Sequence, residues 1–248
     1  MIIAVLQARA SSRRLPGKVL KPILGKPMLR HQIERILRAK LLGRLVLATS
    51  VNPEDDAVAA IGDACGVTVY RGSLDDVLDR FYKAAEPHSP SHVVRLTGDC
   101  PLADPEIIDA VTRKAVNEGY DYTSNTNPPT FPDGLDVEVA TFAALQVAWR
   151  EATSKSDREH VMPFLHRQPK RFRLGNYENA TDLSAMRWTV DEPADFEMVR
   201  TVYEGLYPSK PDFGTADVLT FLRDHPEVAS LNDGTIRNEG YLRDLSAS

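Results

Sequence analysis

Short apolar runs alternate with amphipathic stretches along the first half of the chain. Residues 2–6 (IIAVL) form an apolar run typical of a buried strand, and residues 27–40 repeat their apolar positions at the spacing of a helix. The predicted buried face of this helix consists of Leu29, Ile33, Ile36 and Leu37. The opposite face of the helix is predicted to be exposed to water, and its charged residues are Arg30, Glu34, Arg35 and Arg38.

The alternation of strand and helix then repeats several times. Strands are predicted at residues 45–50, 67–72, 92–98 and 121–125. Helices are predicted between them at residues 52–66, 73–86 and 104–119. Because strands separated by helices of this length form crossover units, the pattern predicts a doubly wound α/β fold with a mostly parallel sheet.

The pattern loosens in the second half of the chain. Residues 125–134 form a loop rich in Pro and Gly, and a short strand is predicted at residues 135–140. The remaining predicted elements are helices at 141–152, 156–167, 192–206 and 216–224, and strands at 171–179 and 186–190. Because no low-complexity linker interrupts the chain, we expect one domain over residues 1–248, with a nucleotide-binding half (1–125) and a sugar-binding, closing half (126–248).

Composition excludes several classes of protein. The 248 residues contain 30 basic and 35 acidic side chains, and a net charge of −5 argues against a surface that coats nucleic acid. No apolar run approaches the roughly 18 to 20 residues that span a membrane, so we expect a cytoplasmic protein with no membrane partner. Cys65 and Cys100 lie far apart without a CxxC motif and are predicted to be packing residues.

A loop rich in cations follows the first strand. This basic loop, residues 8–18, carries Arg9, Arg13, Arg14 and Lys18 among small residues. Ligands of open parallel sheets bind at the carboxyl ends of the strands, so the loop is expected to hold an anion. It contains neither GxGxxG nor GxxxxGK[ST], which leaves side chains such as Arg13 and Lys18 to bind a polyphosphate. The alternative is an ordinary solvated loop.

Two acidic residues end predicted strands. Asp99 lies in RLTGDCPLADPEII, and a carboxylate at a strand tip is a suitable oxygen ligand for Mg²⁺. Asp99 also suits a turn, and Asp104, which precedes a proline, is predicted to cap a helix. Asp191, in TVDEPADFEMV, suits an ordinary helix N-cap when it is considered by itself.

The segment QARASSRRLPGKVL resembles the N-terminal signature of the CMP-KDO synthetase and acylneuraminate cytidylyltransferase group. The resemblance is strongest to the spore coat polysaccharide biosynthesis protein F family. It extends through GDCPL, FPDGLDVEVA, SDREHVMPF, TVDEPAD and the tail IRNEGYLRDL, and so covers nearly the whole chain. It implies the nucleotide-diphospho-sugar transferase (GT-A-like) fold and a homodimer.

The resemblance also implies roles for individual residues. CTP would be bound by Gln7, Ala8, Arg9, Ser12, Arg13, Lys18, Arg71 and Asp99. Mg²⁺ would be held by Asp99 and Asp191, and the catalytic set would be Arg13, Lys18, Asp99 and Asp191. The sugar would be bound by Asp136, Glu138, Arg158 and His160. The alternatives are that the Asp136–Glu138 face is the wet side of an edge strand and that His160 is structural.

These observations predict a Mg²⁺-dependent cytidylyltransferase that couples CTP to an acidic sugar and releases pyrophosphate, for surface polysaccharide. The stretch GSLDDVLDR replaces the His-x-Ser-Gly-Thr-Asp-Arg element of CMP-KDO enzymes, which leaves the sugar open. The alternatives are a nucleotidyltransferase that uses another nucleotide or a non-ulosonic acceptor, and a homologue that binds a nucleotide without turnover. A retaining glycosyltransferase would carry Asp-x-Asp where this chain has GDC. Asn238 and Glu239 in the tail receive no predicted role.

Overall fold

The computed structural model describes residues 1–233, which form a mixed sheet of seven strands covered by helices on both faces and a separate two-stranded hairpin. The strands are β1 (Ile2–Gln7), β2 (Pro22–Ile23), β3 (Lys26–Pro27), β4 (Arg44–Ser50), β5 (Thr68–Gly72), β6 (His92–Thr97), β7 (Tyr122–Ser124), β8 (Glu138–Thr141) and β9 (Leu174–Asn176). The helices of the first half are α1 (Met28–Ile36), α2 (Asp56–Ala64), α3 (Val77–Ala85) and α4 (Pro105–Glu118). Those of the second half are α5 (Phe142–Glu151), α6 (Lys155–His160), α7 (Pro163–His166), α8 (Pro193–Leu206), α9 (Thr215–Asp224) and α10 (Pro226–Ala229). The Asn238 and Glu239 positions lie outside the described residues.

The large sheet has the strand order β5-β4-β1-β6-β8-β7-β9. Strands β5, β4, β1 and β6 are parallel neighbours, and β8 runs antiparallel to both β6 and β7. The apolar run of β1 is buried on both sides because its odd and even residues pack into different helical layers. The predicted doubly wound, mostly parallel sheet is therefore confirmed.

Each face of the sheet has its own apolar core. Ala4 and Leu6 of β1 face the core that includes residues of α1, α2, α4, α8 and α9. Ile3 and Val5 face the opposite core, which includes residues of α3, α5 and α7. The result is a three-layer arrangement in which the loops at the carboxyl ends of β1 and β6 remain available for a ligand.

Helix α4 shows how local sequence fixes an element. Its N-cap is Asp104, whose carboxylate accepts a hydrogen bond from the backbone N–H of Glu106 at 2.8 Å, as predicted. Pro105 occupies the first helical position, and Gly119 ends the helix with a φ of +64°. The helix therefore begins directly behind the segment that carries Asp99.

The predicted faces of α1 need correction at two positions. Arg35 is 4% exposed rather than facing water, and Leu37 is 50% exposed rather than buried. The guanidinium of Arg35 donates hydrogen bonds to the carbonyl oxygens of Ala103 at 2.8 Å, Phe213 at 3.0 Å and Leu102 at 3.3 Å. These hydrogen bonds offset the free-energy cost of burying the charge. A pattern of apolar and polar positions cannot predict them.

Two elements of the second half also differ from prediction. Residues 186–190 form no strand and contribute only an isolated bridge between Asp133 and Arg187, because their backbone groups bond to loops. The predicted helix 156–167 is two short helices, α6 and α7, separated at Val161, which has a φ of +72°. No helix within residues 1–233 is long and apolar enough to cross a membrane.

Candidate functional site

The basic loop and the segment after β6 meet at the carboxyl edge of the sheet. The N–H of Gly98 donates to the carbonyl oxygen of Gln7 at 2.8 Å. A Cβ atom on Gly98 would lie 2.7 Å from the Cβ of Ala8, so only glycine allows the two segments to approach this closely. This contact brings Asp99 beside the basic loop.

Lys18 is buried at the centre of the site. It follows Gly17, whose φ of +67° turns the basic loop into a short 3-10 helix over Lys18–Leu20. The Lys18 ammonium donates to the carbonyl oxygen of Val190 at 2.7 Å and to Asp191 Oδ1 at 2.8 Å, and it contacts Asp99 Oδ2 at 3.3 Å. Burial lowers the pKa of Lys18, but the charges of Asp99 and Asp191 outweigh it and raise the pKa above its ordinary value.

Asp99 is the more exposed of the two acidic partners, with 30% of its side chain accessible. Burial raises the pKa of its carboxyl group, but the Lys18 charge and a hydrogen bond from Thr97 lower the pKa to about 2. The group is therefore ionised at any pH at which the protein would work. Ionised carboxylate is the form that binds a hard cation.

Asp191 is surrounded by three cations. Its Oδ1 faces Lys18, while its Oδ2 lies 3.0 Å from Arg14 Nη2 and 3.3 Å from Arg187 Nη2. The N–H of Val190 donates to the carbonyl oxygen of Asp99 at 2.8 Å, which ties the two acidic segments together. The structure thus brings Asp99 and Asp191 together as predicted, although the segment before Asp191 is not the predicted strand.

Arg187 organises the base of the site. It pairs with the buried Asp195 through Nε at 2.8 Å and Nη2 at 2.9 Å, and it also reaches Asp133 at 3.2 Å. Burial lowers the pKa of Arg187, but its hydrogen bonds and charge contacts with Asp195 and the other acids raise the pKa overall. Asn232 donates to Asp195 Oδ1 at 2.8 Å and to the Arg187 carbonyl at 3.0 Å, which completes the network.

Gly134 allows the loop before β8 to pack against the segment that carries Asp191. Its φ is +107°, and an added Cβ would lie 2.5 Å from the backbone N of Thr189. We expect Gly134→Ala to lower the free energy of unfolding by about 2 to 4 kcal/mol, since it adds both strain and a backbone clash. Urea denaturation measures this loss.

Gly66→Ala is the matched control for that substitution. Gly66 has a φ of +69°, but an added Cβ there would meet nothing within 4 Å. We expect this control to cost only the backbone strain, about 1 kcal/mol. Equal losses in the two variants would contradict the proposed close packing at Gly134.

The other predicted nucleotide-binding residues differ in their exposure. Arg9 and Arg13 are exposed, and Ser12 is half-buried. Arg71 instead donates hydrogen bonds to the carbonyl oxygens of Ser50 and Asn52, each at 2.9 Å. Its third contact is an ion pair with Asp56 at 2.6 Å, so Arg71 is held within the protein at the same edge of the sheet.

The predicted sugar residue Glu138 belongs to a polar network on the sheet. It pairs with Arg95, and it accepts a hydrogen bond from the Tyr122 hydroxyl at 2.6 Å. Arg95 also donates to Gln7 Oε1 at 3.2 Å. Burial, followed by the Glu138 charge, raises the pKa of Tyr122 well above its ordinary range, so the phenol stays protonated and donates. Because β8 lies between β6 and β7, the edge-strand alternative is wrong.

The remaining predicted sugar residues are Arg158, Asp136 and His160. Arg158 donates to the carbonyl oxygen of Trp149 at 2.8 Å and pairs with Asp76 at 2.5 Å, which links α6 to the start of α3. Asp136 and His160 are both half-buried. Burial, followed by the charges of Asp99 and Asp136, raises the pKa of Cys100, which places Asp136 near the Asp99 segment. Glu138 is joined to Gln7 through Arg95, whereas Arg158 bonds to Trp149 and Asp76.

Sequence reasoning missed several members of the site. Arg14 and Arg187 contact Asp191, and Arg95 and Tyr122 contact Glu138, yet none of the four was assigned a role. Arg187 and Asp191 are four residues apart, a spacing that indicates an ion pair only within a helix. Because residues 187–191 are not helical, no local pattern in the sequence indicates this pair.

The acidic pair has the chemistry required to hold Mg²⁺. Asp99 and Asp191 supply oxygen donors, both contact the single Lys18 ammonium, and the Asp99 side chain is accessible. Mg²⁺ is commonly held by one or two carboxylates together with substrate phosphates and water. Within residues 1–233 no group of three or more His, Cys, Asp and Glu side chains is arranged to hold a metal by itself. The residues thus fit a cation that a phosphate ligand helps to bind.

The chain matches a known protein family over most of its length. The cytidylyltransferase family model matches residues 3–207. The chain belongs to the cytidylyltransferase family. The matched span includes the basic loop, Asp99 and Asp191.

Relatives and structures are consistent with the cytidylyltransferase family. The chain is 33% identical to the spore coat polysaccharide biosynthesis protein SpsF of Bacillus subtilis, over 92% of this chain and 97% of that protein. It is 34% identical to an uncharacterized protein of Methanocaldococcus jannaschii, over 97% of both chains. A 3-deoxy-manno-octulosonate cytidylyltransferase of Pelobacter propionicus is 38% identical over 47% of this chain and 45% of its own.

Two solved structures show the same fold. A cytidylyltransferase from Leptospira borgpetersenii superposes with a TM-score of 0.88 at 30% identity, covering 95% of this chain and 98% of that one. A CMP:2-keto-3-deoxy-manno-octonic acid synthetase complexed with CTP has a TM-score of 0.64 at 20% identity, covering 82% of this chain and 98% of its own. The predicted nucleotide-diphospho-sugar transferase fold is therefore confirmed.

Proposed function

We propose that this member of the cytidylyltransferase family couples CTP to an acidic sugar, giving a CMP-sugar and pyrophosphate, with Mg²⁺ as cofactor. The observation that carries the proposal is the convergence of Lys18, Asp99 and Asp191 beside a basic loop at the carboxyl edge of the sheet. Support for CTP comes from the family match and from the synthetase of the same fold that is complexed with CTP.

The basic loop is suited to the triphosphate. Arg9 and Arg13 are exposed and offer planar guanidinium groups to phosphate oxygens, and Lys18 adds a third cation deeper in the site. A hydroxyl of the sugar attacks the α-phosphorus and loses its proton to water, a new P–O bond forms, and the bond to the bridging oxygen of the leaving pyrophosphate breaks. The cations stabilise the negative charge that passes to the pyrophosphate in this step.

Asp99 and Asp191 would hold the divalent cation. When bound, Mg²⁺ would neutralise charge on the phosphates and fix their position relative to the acceptor. Asp191 is oriented for this role by Arg14 and Arg187, which engage its second oxygen. Asp99 is oriented by the backbone bond from Val190 to its carbonyl oxygen. The protein contributes mainly positioning and charge.

The polar network around Glu138 is suited to the acceptor. Gln7 joins this network through Arg95 and, through its carbonyl oxygen, bonds to Gly98 beside Asp99. An acceptor held by Glu138 would therefore lie on strands whose carboxyl ends carry the phosphate site. The name of the Pelobacter propionicus relative, a 3-deoxy-manno-octulosonate cytidylyltransferase, supports an acidic sugar. We further propose a homodimer, in line with the family resemblance.

Glu138→Gln tests the acceptor network. We expect the KM for the acceptor to rise about tenfold, because a charged hydrogen-bond acceptor is replaced by a neutral amide, while the KM for CTP changes little. Steady-state kinetics with each substrate varied in turn measure the two constants. Glu118→Gln, at an exposed position in α4, is the control. An unchanged acceptor KM in the Glu138 variant would remove Glu138 from the site.

Pyrophosphate release tests the proposed reaction. The protein is incubated with Mg²⁺, each of the four nucleoside triphosphates, and a panel of KDO-like acids, nonulosonic acids and neutral aldoses. We expect release with CTP and an acidic sugar only. Release with another triphosphate or with a neutral aldose would reassign the substrate, and no release from any pair would reject the proposed reaction for these acceptors.

A further inference from the structure

Lys18 uses every donor of its side chain inside the protein. A lysine ammonium has three N–H groups, and here they have three acceptors: the Val190 carbonyl at 2.7 Å, Asp191 at 2.8 Å and Asp99 at 3.3 Å. The side chain is 10% exposed. A phosphate oxygen therefore finds no unused donor on Lys18 unless one of these bonds breaks.

The same contacts affect any metal that would bind to the acidic pair. The Lys18 ammonium lies between the two carboxylates and neutralises part of their charge. The second oxygen of Asp191 is already engaged by Arg14 and Arg187. A divalent cation that bridges Asp99 and Asp191 must therefore compete with a positive charge that is already in contact with both.

The backbones of Asp99 and Asp191 are held in place independently of Lys18. The N–H of Val190 and the hydroxyl of Thr189 both donate to the Asp99 carbonyl, at 2.8 and 3.2 Å. The backbone N–H of Asp191 donates to Asp195 Oδ2 at 2.9 Å. Loss of the Lys18 charge would leave the two carboxylates close together and without the cation that they share.

We propose that Lys18 is an internal counter-ion that keeps the Asp99–Asp191 pair closed to divalent cations until a triphosphate draws its ammonium away. The proposal rests on the proposed function, in which both the triphosphate and the metal bind here. It follows that the metal and the nucleotide each strengthen the binding of the other, because the nucleotide moves the Lys18 ammonium, which competes with the metal for the two carboxylates. Metal alone binds weakly to the free protein.

Binding of Mn²⁺ to the nucleotide-free protein tests this inference. Mn²⁺ accepts the same oxygen ligands as Mg²⁺, and free Mn²⁺ is measured directly by electron paramagnetic resonance. We expect Lys18→Met to bind Mn²⁺ at least about tenfold more tightly than the unaltered protein, since the competing charge is gone. Lys170→Met, at an exposed position, is expected to bind like the unaltered protein.

Thermal unfolding gives a second readout that does not depend on turnover. Lys18→Met should unfold at a lower temperature than the unaltered protein without metal, and Mn²⁺ should recover part of that loss. If Lys18→Met does not fold, Lys18→Gln removes the charge but keeps a donor for Val190, and its Mn²⁺ affinity is read in the same way. Equal or weaker Mn²⁺ binding after loss of the Lys18 charge would overturn the inference.

The two proposals fail separately. If the Lys18 variant binds Mn²⁺ more tightly but the unaltered protein releases no pyrophosphate, the counter-ion role of Lys18 is supported and the proposed reaction is rejected. If the unaltered protein releases pyrophosphate but the Lys18 variant binds Mn²⁺ no more tightly, the proposed reaction is supported and the counter-ion role of Lys18 is rejected.

Discussion

Asp99→Asn and Asp191→Asn are each expected to lower kcat for pyrophosphate release by at least about a hundredfold. Each substitution removes a charged oxygen ligand of the proposed Mg²⁺ site while it keeps the size of the side chain. Both side chains are partly exposed, at 30% for Asp99 and 22% for Asp191, so the fold should survive. Steady-state kinetics at saturating Mg²⁺ measure the loss, and circular dichroism confirms the fold.

Asp63→Asn is the matched control, because Asp63 is an exposed acid on α2 at a position outside the site. We expect its kcat to equal that of the unaltered protein. If the Asp99 and Asp191 double variant released pyrophosphate at the unaltered rate, the assignment of these residues to the metal would be wrong. A loss of turnover in Asp63→Asn would show that the assay reports general damage.

Arg187→Met is expected to lower the free energy of unfolding by about 3 to 5 kcal/mol, the largest stability loss that we predict. The substitution leaves Asp195, which is fully buried, and Asp133, which is 7% exposed, without their shared cation. Asp195 would keep its hydrogen bonds from Asn232 and from the backbone N–H groups of Asp191 and Glu192, but a buried carboxylate that has lost its opposite charge is costly. Urea denaturation measures the change.

Arg171→Met provides the comparison for an arginine at the surface. Arg171 pairs with Glu151 through two hydrogen bonds, but both side chains are more than 40% exposed. We expect a loss below about 1 kcal/mol there. A double variant, Arg187→Met with Asp195→Asn, should lose less than the sum of its single changes. A loss below 1 kcal/mol for Arg187→Met would contradict the central place given to this residue.

The sequence predicted the parts of the site that depend on local pattern. The basic loop follows an apolar strand, and Asp99 follows another, so both were expected at the same edge of a parallel sheet. The helix cap at Asp104 was equally predictable, because a capping carboxylate before a proline is a local signal. These features require no knowledge of distant contacts.

Features that depend on distant partners were not predictable from pattern. Arg35 is buried because three carbonyl oxygens from distant loops surround its guanidinium, and its charge alone suggested exposure. The segment 186–190 alternates like a strand, but its N–H groups bond to the loops at Asp133 and Asp99. Strand β8 enters the sheet between β6 and β7, an order that local propensity does not fix.

The chemistry of Lys18 shows a similar division. Its role as a phosphate ligand is predicted from the basic loop and from the resemblance to cytidylyltransferases, whereas its three bonds to Val190, Asp99 and Asp191 are known only from the fold. Asp99 and the Val190–Asp191 dipeptide lie far from Lys18 in sequence, and they meet it because three segments converge at one edge of the sheet. The fold thus adds to the predicted phosphate role of Lys18 the contacts with two carboxylates from which we infer its role as a counter-ion.

Product analysis by mass spectrometry is the most direct test of the central claim, that this site transfers a cytidylyl group to an acidic sugar. The protein is incubated with CTP, Mg²⁺ and the acidic sugars, and the CMP-sugar and pyrophosphate are quantified together. The account predicts a CMP-sugar and pyrophosphate in equal amounts, and neither product in the Asp99 and Asp191 double variant. A sugar nucleotide formed from another triphosphate but not from CTP would contradict it.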